Sequence, residues 1–163
     1  MSMTIRYLLL FAFAGLAMVS CKKTNDMSKI PNVTLTAFIS GNGSDKVLVN
    51  IDTAFLLFDF TDGDADIGTD PGSTSDIYIK DLRGGDFNGY SFPADIDRSI
   101  EDPKKGIKGS VVFQFTPDVL TMRDDSLHNA TKRDTTSFEF YIVDRAGHES
   151  NHITTPPIII YRK

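Results

Sequence analysis

The stretch AFLLFDF, residues 54–60, decides the fold. Phe58 and Phe60 point one way and Asp59 the other, the two-residue period of a pleated strand. The same period returns in VTLTAFI (33–39), DIYIKDL (76–82), SVVFQFT (110–116) and SFEFYIV (137–143). Within these, Val111, Phe113 and Phe115 stand against Gln114 and Thr116, while Phe138, Phe140 and Ile142 alternate around Glu139. PPIIIYR (156–162) closes the series as an apolar run entered through two prolines. That suits a terminal or edge strand, because proline donates nothing to a ladder. No window keeps apolar residues at i, i+3, i+4 and i+7 over the length a helix needs.

Six or seven short strands between Gly, Pro and Asp turns predict an all-β domain over residues 33–163. An antiparallel sandwich of about seven strands is the expected architecture, and a small barrel would show the same periodicity. Of the twelve phenylalanines, ten lie within 33–163, and with no tryptophan in the chain they would supply much of the core between two inner faces. Two connections resist a strand reading. Residues 83–109 are turn-rich, with a short strand expected at Tyr90–Phe92. Residues 118–135 are charged, with a helical turn expected near Val119–Arg123. Long connections of this kind are where binding sites usually reside, and ordinary surface loops are the competing and more common reading.

The amino terminus is of a different kind. Behind Arg6, Tyr7 to Val19 form an apolar run of 13 residues. That is the length of a secretory h-region and well short of the roughly 20 residues of a membrane-spanning helix. The run ends in MVSC, and Cys21 is the sole cysteine of the chain. This ending resembles the lipobox of bacterial lipoproteins, in which the signal is cut before the cysteine and the cysteine is acylated. The resemblance implies a signal peptide at 1–20, a lipid on Cys21, and a polar tether over 21–32. A free thiol left by ordinary signal cleavage is the alternative. Several acyl chains, at about 0.8 kcal/mol per buried methylene, make a durable attachment to a membrane. Surface-displayed lipoproteins of Bacteroidetes type often carry acids after the cysteine. Lys22 and Lys23 stand there instead, so the periplasmic and outer-surface faces of the outer membrane both remain open.

Removing residues 1–20 leaves 16 basic against 22 acidic residues, a balance of −6. No basic patch is left to follow phosphates, which argues against nucleic acid as a partner. FLLFDFTDGDADIG, DIYIKDLR and FYIVDRAGHESNHITTPPIII together resemble a set of small Bacteroidetes-type lipoproteins with an immunoglobulin-like β-sandwich. The closing DRAGHESN also resembles the turn before the last strand of many bacterial Ig-like modules, with His148 where asparagine is common. The resemblance implies a location in the cell envelope and a fold, with no reaction attached. Asp52-Thr53-Ala54 resembles the O-glycosylation acceptor of that group, which marks Thr53.

Chemistry is most concentrated in FTDGDADIG, residues 60–68. Asp62, Asp64, Asp66 and Asp70 follow Asp59 with no basic residue among them. Calcium takes six to eight oxygens. In an extended strand Asp62 and Asp66 would lie about 13 Å apart, so a site requires a turn, which Gly63 and Gly68 allow through positive φ. The spacing matches the start of an EF-hand loop, but Ile67 and Ser73 replace its glycine and glutamate. A looser calcium loop, completed by Asp70, Asp76 or Asp144, competes with a hydrated turn whose carboxylates bond to local backbone. His148 and His152 lie four apart in a turn-then-strand context and read as surface histidines. No nucleophile–base arrangement stands out. The expectation is a lipid-anchored, non-enzymatic module that binds an envelope protein or glycan, with Ca2+ as the one cofactor considered. A small carbohydrate-active or other hydrolytic protein on the same scaffold is the alternative.

Overall fold

In a computed structural model, residues 26–68, 75–92, 102 and 104–163 are described. Among the described residues there are ten strands: β1 (Asn32–Ser40), β2 (Lys46–Leu48), β3 (Ala54–Asp62), β4 (Ile77–Asp81), β5 (Asn88–Tyr90), β6 (Ile107–Phe115), β7 (Arg133–Thr136), β8 (Phe138–Ile142), β9 (Ile153–Thr154) and β10 (Ile158–Tyr161). A short helix, α1 (Ser126–Thr131), precedes β7. The architecture is an all-β sandwich. One sheet runs β1-β3-β6 and the facing one β5-β4-β8-β9, both antiparallel throughout.

The core follows from the alternation. In β3, Ala54, Leu56, Phe58 and Phe60 are buried, while Phe55, Leu57, Asp59 and Thr61 lie on the outer phase. In β8, Phe138, Phe140 and Ile142 are the buried phase. The two phases meet: the Phe58 and Phe140 rings lie 5.0 Å apart, and Phe115 and Phe138 4.6 Å apart. Phe60 meets Phe92 edge-on at 5.5 Å. These are the tilted and edge-to-face pairings that aromatic quadrupoles favour.

Several elements differ from the periodicity. The bulge between Leu35 and Ala37 breaks the alternation of β1. β10 is not an edge: it pairs antiparallel with β7 and parallel with β2, in a third sheet ordered β2-β10-β7. Pro156 and Pro157 precede its paired residues and so spare the ladder. The helical turn expected at Val119–Arg123 lies instead at Ser126–Thr131, because Asp125 caps it, its Oδ1 accepting from the His128 N–H at 2.9 Å. The strand expected at Tyr90–Phe92 pairs two residues earlier, Gly89 opposite Tyr78. Phe92 turns into the core instead, its N–H held by Asp76 Oδ2 at 3.0 Å.

Candidate metal centre

The buried phase of β3 does not stop at Phe60. Its next member is Asp62, fully buried. The buried phase of β8, carried two residues past Ile142, reaches Asp144, 6% exposed. Two core strands from facing sheets thus each end in an aspartate turned inward at the same end of the sandwich.

Between them the chain after β3 curls back. The Asp66 N–H donates to Asp62 Oδ2 at 2.9 Å, closing a loop of four residues on the strand end. Ala65 takes the left-handed conformation there, φ 60°, at a cost of about 1–2 kcal/mol for a residue with a Cβ. Burial of Ala65 and Ile67 offsets it and pins the loop to the core. Of the two glycines expected to make this turn, Gly68 does so at φ 95°, while Gly63 serves close approach of another backbone. The Asp62 carboxylate thus accepts a local backbone N–H, as the turn reading expects, but it does so buried rather than hydrated.

From the other sheet, the turn after Asp144 locks onto the same loop. Arg145 N–H donates to the Asp66 carbonyl at 3.1 Å. His148 holds both Asp144 oxygens: its N–H donates to Oδ1 and its Nδ1–H to Oδ2, each at 2.8 Å.

Asp62, Asp64, Asp66 and Asp144 each offer a carboxylate oxygen to one point, all within 4.8 Å of one another. Two oxygens on opposite sides of a calcium ion, at about 2.4 Å each, stand about 4.8 Å apart. The cluster therefore has the span of a single coordination sphere. Asp62 Oδ1, Asp64 Oδ1 and Asp66 Oδ1 are buried and have no hydrogen-bond partner. Unpaired buried polar atoms are rare, since each forgoes its hydration for nothing. Three in one loop, aimed together, fit a bound cation. An all-oxygen, four-carboxylate set on irregular loops suits calcium. Magnesium uses fewer carboxylates and keeps more water, and softer metals prefer nitrogen or sulfur.

The electrostatics agree. Like charges at such distances repel by on the order of 3 kcal/mol per pair at a half-buried site. Burial, with the charges of Asp66, Asp64 and Asp144, pushes the Asp62 carboxyl up to about 7, against the hydrogen bond from Asp66. Burial and then Asp144 raise Asp66 as well. The Asp144 carboxylate raises the His148 imidazole. Cations also stand at the cluster: the Lys29 ammonium, 3.5 Å from Asp64 Oδ2 and 76% exposed, and Arg145, whose charge acts against the rise at Asp66.

Of the residues singled out in the sequence, Asp62, Asp64 and Asp66 come together, and of the three offered to complete the shell Asp144 does so. Asp76 is committed to Phe92. Asp70 and Cys21 lie outside the described residues. Asp59 is exposed on the outer phase of β3, accepting from Ser110 Oγ. Thr53 is half-buried just before β3, its hydroxyl against Gly41. His148 is exposed, as read from the sequence, and its ring and backbone N–H both hold Asp144. The signal for Asp144 was the inward phase of SFEFYIVD, which ends on an acid as FLLFDFTD does. His152 does read as a surface residue, its Nδ1 on Glu139 Oε1 at 2.9 Å.

No family model matches the chain, and no curated protein matches it. Among solved structures it is similar to a Niemann-Pick type C2 protein from Japanese carpenter ant. That match has a TM-score of 0.36 and 14% identity, covering 85% of this chain and 97% of that one.

Proposed function

We propose that this chain is a non-enzymatic, calcium-stabilised immunoglobulin-like module, held to the outer membrane by lipid on Cys21, that binds an envelope protein or glycan. One observation supports it most: three buried carboxylate oxygens without partners, on Asp62, Asp64 and Asp66, converging with Asp144. The ion would take its charge-bearing oxygens from loops at the end of both sheets and so tie the sheets together where no strand pairing does. Binding through loops held in this way accounts for the residues without a reaction.

The hydrolytic alternative draws on the raised carboxyl of Asp62, since a proton donor near neutral pH is what such enzymes use. Against it, a general acid must touch its substrate, and Asp62 and Asp144 are buried. The hollow lined by Asp81, Arg83, Gly84, Thr121, Met122 and Arg123 shares no residue with the cluster. Metal coordination uses the same carboxylates without needing access by a large molecule.

The test is the thermal midpoint with calcium and with chelator, alongside calorimetric titration of the ion. A rise of several degrees at calcium concentrations about 100-fold above Kd is expected. An unchanged midpoint and no binding heat would remove the calcium reading. For the anchor, a Cys21→Ala protein should leave the membrane fraction, and one that stays would remove that part.

A further inference from the structure

Gly63 lies between two of the proposed ligands, and the segment ahead of β1 rests on it. Its N–H donates to the Ser28 carbonyl at 2.7 Å. A Cβ at Gly63 would stand 2.4 Å from Met27 O and 2.6 Å from Ser28 O, so only glycine lets these two backbones meet. Met27 reaches round the same junction: a Cβ at Gly106 would fall 2.4 Å from its Cε and 2.6 Å from the Asp62 carbonyl. Lys29 adds its ammonium at Asp64, an open ion pair worth little by itself. The seat of residues 27–29 is therefore built from the backbone and side chains of the ligand loop.

Resting on the calcium reading above, we propose that this loop is a calcium-dependent clamp on the N-terminal segment. An ion held by Asp62, Asp64, Asp66 and Asp144 orders Gly63 from both sides, and an ordered Gly63 keeps Met27 and Ser28 in place. Without the ion, mutual repulsion of the carboxylates loosens the loop, the Gly63–Ser28 hydrogen bond opens more often, and residues 27–30 lift away. In a chain anchored at Cys21, four freed residues add about 13 Å to the reach between membrane and domain, at roughly 3.3 Å each. Calcium thus sets how far and how stiffly the module stands off its anchor. By reciprocity, a tether torn from its seat lowers calcium affinity by the factor that calcium favours the seat.

The experiment is limited trypsin digestion of the mature, lipidated protein in detergent, with calcium or chelator, followed by mass spectrometry. Cleavage after Lys23 serves as the reference within each digest, and cleavage after Lys29 reports the clamp. Calcium should slow the Lys29 cut about tenfold relative to the Lys23 cut. Calorimetry on the same sample separates the two ideas. No calcium binding overturns the site itself, and calcium bound with an unchanged Lys29 ratio overturns the clamp alone. Gly63→Ala should abolish the protection. Because that variant acts inside the loop, Met27→Ala is the independent probe. It should restore Lys29 cleavage in calcium and weaken calcium binding, and wild-type behaviour in both would overturn the clamp.

Discussion

His148 donates through Nδ1–H to Asp144 Oδ2 at 2.8 Å, and through its own N–H to Oδ1 at the same distance. Both oxygens of the aspartate from the second sheet are thereby aimed from behind, with Gly147 at φ 87° closing the turn that allows it.

Orienting partners of this kind typically govern metal affinity by 10- to 100-fold. His148→Ala should weaken calcium binding about tenfold, read by calorimetric titration, with the fold retained. An unchanged affinity would show that Asp144 is positioned without its imidazole.

Asp62 carries the strongest conflict in the ion-free protein: a charge inside the core phase of β3, with an oxygen that bonds to nothing. Asp62→Asn removes that charge and keeps an acceptor for the Asp66 N–H. In chelator the variant should melt a few degrees above wild type, and calcium should no longer shift it. A variant that melts lower in chelator and still responds to calcium would contradict the assignment.

A second buried acid behaves in the opposite way. Asp134 has no exposed side-chain surface and accepts from Arg83 Nη1 at 2.8 Å, Arg123 Nη2 at 3.0 Å and the Arg123 N–H at 2.9 Å. Thr135 N–H adds a bond at 2.7 Å. Asp134→Ala leaves the largely buried Arg83 guanidinium with Asp81 and the Thr121 carbonyl only, and should cost about 3 kcal/mol in urea unfolding. A loss well under 1 kcal/mol would mean the two guanidinium groups find solvent instead.

The same network sets an acid limb. Despite burial, the arginines and backbone donors hold Asp134 far below the usual carboxylate range, and Arg83 and Thr136 lower Asp81 against its burial. A depressed folded-state value means the unfolded chain takes up protons first as pH falls. The stabilisation is therefore complete above about pH 5 and drains away below the ordinary aspartate value near 4. Stability measured from pH 5 to pH 2 should fall more steeply in wild type than in Asp134→Ala. Parallel curves would show that other groups make the limb.

Phe58 and Phe140 join the two sheets at their centre. Phe58→Ala should cost about 3–5 kcal/mol, because the rigid sheets cannot close over the lost ring. A loss below about 1 kcal/mol would place the core elsewhere.

The strands at 54–60, 76–82, 110–116 and 137–143 were legible because a half-buried strand writes its two faces in alternate residues. β2, β7 and β9 were not. They are two to four residues long, and RDTT of β7 is wholly polar, its buried Asp134 and Thr136 satisfied by partners far along the chain. No local pattern announces the parallel pairing of β2 with β10 either. The aspartate loop was legible as a cluster. Its shape was not, since the residue that turns left-handed is Ala65, whose strain is relieved only by the core it enters.

By itself the sequence determined the class of fold, the strands of the core, and a dense acidic loop at the end of one of them. These follow from alternation and composition, which act between near neighbours. Only the tertiary structure decided that the loop has the geometry of a site. Convergence of Asp62 and Asp144 requires two sheets to face each other with their inward phases aligned at the same end. That alignment is a property of packing across the sandwich, between residues the chain order keeps apart.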